Sequence, residues 1–480
     1  MDEIPINPRP TDGFVEIIGQ ERTQQLAEAL AVTRDLLGGA TVWHVNSTAA
    51  GGGVSEMLQS VLSYPAAAGI RVRWIVIEGN DEFFGLTKRL HHLLHGSAGD
   101  GGQLGDEEHR LYERTIGPEE RPLTTLVRAG DLVVLHDPQV LGLARCLSVR
   151  GATVIWSCHV GADEPNHETR RAWEFLLPYL TPTAAQTFTR AQYRWETLDP
   201  ARVAVIPPCI DAFATKNKRL DDTAVGEILN AAGLVRDPQA GESAEFPRQD
   251  GSTGRVRNRV RMVQDAPLDP EAPIVCQISR WDPLKDHAGV MRAFAACVPP
   301  ELGAQLVLAG PSPDSVDDDP ESKETLAEIV ATRDDLPPER RQRVHICSVP
   351  MDDLEENAAI INALQRRSGV IVQKSLAEGF GLTVAEAMWK GTPTIGSRVG
   401  GIQDQIESGE SGLLVDPRSD DELGSAIESL LSKPAAAAEM AENARQRVAE
   451  RYLAPSYLIA QQSLIRRVAG GSRQADPSAA

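Results

Sequence analysis

Short β-branched runs recur along this chain, each followed by a longer helical stretch, and the alternation breaks once and then restarts. The first series lies at 41–46 (TVWHVN), 72–77 (VRWIVI), 132–135 (LVVL), 153–156 (TVIW) and 203–206 (VAVI). After its first run, Val54, Met57, Leu58, Val61 and Leu62 share one face at helical spacing, which makes a strand, turn and helix unit. Units of this kind in series imply a parallel sheet covered by helices. The second series lies at 274–278 (IVCQI), 305–308 (QLVL), 344–347 (VHIC), 370–372 (VIV), 394–395 and 413–415. A chain of 480 residues exceeds what one core usually supports, so two α/β domains are expected, 1–207 and 208–454. Residues 236–260 lack apolar periodicity and are rich in Gly, Pro, Arg, Ser and Asp, which predicts an exposed loop without chemistry. The small, polar stretch 470–480 predicts a disordered tail.

The formal net charge of -20 argues against sustained binding to nucleic acid or to an anionic membrane. An anionic small molecule would need a local basic cluster. The six cysteines are scattered without metal-ligand spacing and read as buried free thiols of a reducing compartment. The first residues are acidic and proline-rich, and no apolar run approaches ~20 residues, so neither export nor membrane insertion is signalled and the cytoplasm is the expected location.

The most informative segment is Glu378-Gly379-Phe380-Gly381-Leu382-Thr383, continuing through Glu386 to Met388. It leaves the strand at 370–372 and opens a helix. The glycines let backbone N–H groups approach a ligand, and a helix N-terminus favours an anion. Eight residues along a helix rise ~12 Å, too far for Glu378 and Glu386 to share a scissile bond as a hydrolase pair does. Either glutamate alone would be an ordinary helix charge. Directly after the strand at 274–278 stand Arg280 and Lys285, where α/β proteins bind ligands. Elsewhere such residues would be surface charges. In the first domain, Gly51, Gly52 and Gly53 precede a helix, and Glu78 closes the next strand. That imitates a dinucleotide fingerprint, but Glu56 occupies the third glycine position, which weakens a nicotinamide-dependent alternative. His159 ends the strand at 153–156. Asp137 and Gln139 follow another strand end, where they could hold hydroxyls or simply form a turn or cap. His91, His92 and His95 lie in a helical run without a carboxylate at ligand spacing and read as a helix face rather than a metal site.

Glu378 to Glu386 resembles the E-x7-E signature of the retaining GT-B glycosyltransferases of family 4, and Ser279 to Asp286 resembles their diphosphate clamp. Across the first domain the resemblance narrows to the trehalose glycosyltransferring synthases. It is carried by His44-Val45-Asn46-Ser47-Thr48, the glycine run, Glu78-Gly79 with Phe83-Phe84, His136-Asp137-Pro138-Gln139, Cys158-His159, Pro207-Pro208 with Ile210-Asp211, and 378–402. It extends from about residue 18 to 466, and the stretch 236–260 departs from the family's compact linker. The resemblance implies two doubly wound domains facing across a cleft, with the helical stretch 455–468 crossing back onto the first. It implies transfer of glucose from a nucleoside diphosphate to free glucose with retention, forming α,α-trehalose. The donor would meet Gly52, Gly53, Arg280, Lys285, Glu378 to Thr383 and Glu386, with Glu378 facing the sugar and Glu386 the ribose. His159, Asp137 and Gln139 would meet the acceptor, with His159 also touching the donor sugar. His159, Glu378, Arg280 and Lys285 are the catalytic candidates. No tightly bound cofactor is implied, and any stimulation by magnesium would need no protein ligand. The expected partners are sugars and nucleotide sugars, and a homodimer is compatible. A trehalose phosphorylase, or a glucosyltransferase to another small acceptor, stays open. So does the choice among ADP-, UDP- and GDP-glucose.

Overall fold

A parallel strand covered by helices on both faces is apolar along most of its length, and any polar side chain it buries needs a hydrogen-bond partner. Thr41–Asn46 is buried after Thr41, with His44 in contact with His136 and Asn46 accepting from Trp74 Nε1. The computed structural model describes residues 1–49, 52–236, 244–313 and 320–474. The chain divides into two compact units: the first joins 1–209 to 451–480, the second is 210–450. The breaks expected after 207 and 454 therefore lie after 209 and 450.

The first unit contains β1 (Asp2–Ile4), β2 (Thr41–Asn46), β3 (Arg71–Val76), β4 (Leu132–His136), β5 (Thr153–Cys158), β6 (Ala185–Phe188) and β7 (Val203–Val205). They form one sheet in the order β1-β3-β2-β4-β5-β6-β7. All pairs are parallel except β1 with β3. The order of the parallel strands reverses between β2 and β4. At such a switch point the flanking loops diverge and leave a crevice at the carboxyl ends of the strands. The core is built from Trp43, Trp156, Trp173, Phe83, Tyr112 and their aliphatic neighbours. The helix Ala454–Gln474 belongs to this unit, where Arg22 Nη2 donates to Ser456 Oγ at 3.1 Å. It continues through 470–474, so the disorder expected from 470 is corrected there; 475–480 lie outside the described residues.

In the second unit β8 (Glu245–Pro247) and β9 (Thr253–Arg255) form a hairpin, followed by β10 (Arg261–Val263), β11 (Ile274–Ile278), β12 (Gln305–Pro311), β13 (Val344–Val349), β14 (Val370–Gln373), β15 (Thr394–Ser397) and β16 (Leu413–Val415). The main sheet runs β10-β13-β12-β11-β14-β15-β16, antiparallel only at β10. Its parallel strands follow the doubly wound order with the switch point between β11 and β14.

The exposed loop expected at 236–260 is corrected by this hairpin. Phe246 is buried, Arg248 pairs with Asp353, and the backbone N–H groups of Arg257 and Asn258 donate to Glu356 Oε1 at 2.7 and 2.6 Å. Residues 237–243 lie outside the described residues. The six cysteines are all free, but Cys146 and Cys297 are half-buried rather than buried. Among the described residues, no helix is long and apolar enough to cross a membrane.

Candidate functional site

At the second unit's switch point, β11 delivers Arg280 and Lys285 and β14 delivers Glu378. Lys285 Nζ donates to Glu378 Oε2 at 2.6 Å, and Ser375 Oγ donates to the same oxygen at 3.1 Å. Two ties fix the loops that make this possible. Gln277 Nε2 donates to the Lys285 carbonyl at 2.8 Å while its Oε1 accepts from Lys374 N, and Leu376 N donates to the Leu284 carbonyl. Gln277 is fully buried on β11, so one side chain spans both loops. Arg280 stands apart: its side chain is 54% exposed and its ion-pair partner is Asp282 at 3.8 Å. The geometry therefore brings Lys285 and Glu378 together but leaves Arg280 beside an acid of its own loop.

After Glu378 the chain turns through Gly379 and Phe380 to Gly381, which has φ +84° and precedes the helix Leu382–Trp389. A Cβ at Gly381 would stand 3.1 Å from Ile402 in a conformation side chains rarely adopt, so glycine is required there. Gln405 Nε2 secures the turn by donating to the Phe380 carbonyl at 2.6 Å. Leu382 and Thr383 open the helix, both half-buried. Glu386, one turn further on, is buried. Its Oε1 pairs with Lys216 at 3.2 Å, while its buried Oε2 has no hydrogen-bond partner. Neighbouring Lys390 donates to Asn217 Oδ1 at 3.0 Å, and burial lowers its pKa to about 7. The two glutamates thus face different lysines.

In the first unit, Gly52 precedes the helix Gly53–Val61; Ala50 and Gly51 lie outside the described residues. The Gly52 N–H is taken by Ser55 Oγ at 3.3 Å, and a Cβ at Gly52 would meet nothing within 4 Å. Gly53 is exposed. At the carboxyl end of β4, Asp137 has φ 64° and ψ 177° and makes no side-chain cap bond to the turn that follows. Instead its Oδ1 accepts from His159 N at 2.8 Å, and its carbonyl accepts from Trp156 Nε1 at 3.0 Å. Burial pushes the Asp137 carboxyl up from its ordinary range. Gln139 is half-buried, and its buried Oε1 has no partner. His159 Nε2 lies 3.2 Å from Ser157 Oγ and 3.4 Å from His136 Nδ1. Asp137 and His159 therefore meet, through the backbone of one and the carboxylate of the other.

His91, His92 and His95 lie together at the end of the helix Asp81–Leu94, and His95 Nδ1 approaches the Gly161 carbonyl at 3.0 Å. No group of acids, histidines or cysteines suited to a metal occurs among the described residues. Sequence reasoning missed Ser375, Lys216 and Gln277. Ser375 carried one readable signal, a hydroxyl three positions before Glu378. Lys216 had none, because it comes from a distant segment.

Two doubly wound units with candidate ligand-binding residues at their switch points fit the GT-B glycosyltransferase architecture. The trehalose 6-phosphate synthase of Burkholderia multivorans superposes with a TM-score of 0.68 at 16% identity, covering 92% of this chain and 99% of that one. Residues 44–195 match the family described as trehalose synthase, N-terminal domain, and residues 259–447 match glycosyl transferases group 1. Trehalose synthase of Pyrococcus horikoshii is 32% identical over 462 residues, 95% of this chain and 96% of that protein. The chain belongs to the trehalose synthase family, and its chemistry is a trehalose-related hexosyl transfer. Trehalose phosphorylase of Pleurotus pulmonarius is more distant, 24% identical over 84% of this chain and 54% of that protein.

Proposed function

We propose that this chain transfers glucose from a nucleoside diphosphate glucose to free glucose with retention of configuration, forming α,α-trehalose. The observation that carries the reading is the Lys285–Glu378 pair, 2.6 Å apart at the second unit's switch point. A carboxylate can accept from a sugar hydroxyl, and an ammonium beside it can stabilise the charge that grows on a departing diphosphate. Arg280, half-exposed on the same loop, adds a second cation. The N–H groups from Gly379 through Thr383 and the positive end of the helix Leu382–Trp389 favour the same anion. The unpartnered Oε2 of Glu386 suits a ribose hydroxyl. In the first unit, the unpartnered Gln139 Oε1, with Asp137 and His159, suits the hydroxyls of a sugar acceptor. Gly52 and Gly53 are assigned to the donor, although the Gly52 N–H already has a partner. No tightly bound cofactor enters this scheme, and a magnesium ion would act on the diphosphate alone.

The test is a screen of ADP-, UDP- and GDP-glucose against glucose, with the product identified by proton NMR. The reading expects nucleoside diphosphate release that depends on glucose and a non-reducing disaccharide with both anomeric carbons α. A β signal would exclude retention, and a reducing-end signal would exclude trehalose. The similarity to trehalose phosphorylase motivates one further arm: phosphate-dependent release of glucose 1-phosphate from trehalose would favour phosphorolysis.

A further inference from the structure

A buried lysine lies behind the Lys285–Glu378 pair, and the scheme above gives it no task. Lys374 directly follows β14, and its side chain is only 2% exposed. Its Nζ donates to Asp286 Oδ2 and lies 3.3 Å from Asp420 Oδ1, while Arg292 Nε donates to the other oxygen of Asp420 at 3.2 Å. Two cations therefore meet two carboxylates. The charge of Lys374 is answered from within the unit, which sets it apart from Lys285 and Arg280 as a cation for a diphosphate.

What Lys374 holds is the residue after Lys285. Asp286 has φ 45° and ψ 49°, a left-handed conformation that a side chain adopts only where its surroundings over-determine it. Its Oδ1 accepts from Gly289 N at 2.9 Å, capping the helix His287–Cys297, and its Oδ2 takes the Lys374 ammonium. Gly289 makes room for both groups, since a Cβ there would stand 2.1 Å from Asp286 Oδ2 and 2.6 Å from Lys374 Nζ. The left-handed residue joins the turn Pro283–Lys285 to that helix, so it sets the angle at which the turn carrying Lys285 leaves. Gln277 bonds only the main chain of Lys285 and Lys374, which sets the spacing of the two loops but not this angle. A buried ion pair adds little net stability, because desolvation offsets the attraction; its better attested use is to select one arrangement among several.

We infer that Lys374 is a positioning residue: by holding Asp286 in its left-handed turn, it locks the two loops in the register at which Lys285 meets Glu378. The inference goes beyond the proposed reaction, and only its kinetic test rests on the reading of that pair as donor-facing.

The test is the double variant Lys374→Met with Asp286→Gly in the full chain. It removes both charges together, leaves Asp420 paired with Arg292, and places at 286 a residue that permits the left-handed turn without enforcing it. The thermal midpoint should stay close to wild type. Crystal structures of wild type and variant read the separation of Lys285 Nζ and Glu378 Oε2, which should open beyond hydrogen-bond range in the variant. With the donor that supports turnover in the screen above, kcat/KM should fall about 10- to 100-fold, the scale for a misplaced reacting group, and most of the loss should lie in kcat. If the double variant does not fold, Asp286→Gly alone carries the same test, since Lys374 keeps Asp420 as a partner. A pair still closed in the folded variant overturns the inference whatever the turnover, and a lowered midpoint with the pair closed would show that Lys374 serves stability alone. An opened pair with wild-type turnover would uphold the positioning and end instead the reading of Lys285 and Glu378 as donor-facing.

Discussion

Asp137 sits in a backbone region that is nearly glycine-only, and holding a side chain there costs about 1–3 kcal/mol. Its carboxylate offsets that cost by receiving the His159 N–H. Asp137→Asn keeps an acceptor oxygen, so Tm should stay within a few degrees of wild type. Asp137→Gly relieves the backbone but leaves the His159 N–H without its partner, a loss of about 1–3 kcal/mol. Stability should then change little while turnover falls, which thermal unfolding and steady-state kinetics would separate. Lys285→Ala removes the cation nearest Glu378, and donor kcat/KM should drop by about 100-fold or more, the scale for a group that stabilises developing charge. Arg280→Ala should cost less, because that guanidinium is half-exposed and screened. Equal losses in the two variants would contradict the difference in their surroundings.

The hairpin β8–β9 shows what composition conceals at the scale of an element. Its sequence is polar, yet Phe246 is buried against the second unit and Glu356 satisfies two backbone N–H groups just beyond β9. Phe246→Ala should destabilise by about 3–5 kcal/mol, read from denaturant unfolding. Replacing 241–259 with a short Gly-Ser bridge should lower the thermal midpoint, where composition alone predicts tolerance. An unchanged midpoint would mean that the hairpin contributes nothing to the unit. The main-sheet strands that sequence patterning missed, β1, β6 and β10, are all short. Of these, β1 and β10 are antiparallel edge strands whose existence depends on the partner beside them. β6 is buried along its length but reads Ala-Gln-Thr-Phe, with no apolar run to signal it; the other strands buried on both faces were legible, because double burial favours a near-continuous apolar run.

For the whole molecule, the buried histidines predict an acid response. His44, His136, His287 and His345 are buried, and burial holds His44 and His287 down to about 3 and His345 to about 4. The unfolded chain takes up these protons near pH 6.5, and the folded chain refuses them until far lower. Their contribution is therefore complete above pH 6.5 and is lost as pH falls toward 3 to 4. Tm should begin to drop below pH 6.5, before the carboxylates titrate. A flat Tm between pH 6.5 and 5 would contradict this.

The sequence by itself determined two α/β domains, most of the strands within each and the strand-end segments that hold the candidate residues, because periodicity and strand-end placement are local properties of the chain. Strand-end position and the family resemblance together marked Glu378, Arg280, Lys285 and His159 as candidates. Only the tertiary structure decided their partners. Lys285 pairs with Glu378 because β11 and β14 lie side by side, although 93 residues separate the two in sequence. His44, His136 and His159 stack because β2, β4 and β5 are adjacent in the sheet. Strand order sets both, and strand order is fixed by the packing of helices on a twisted sheet, which no short stretch of sequence encodes.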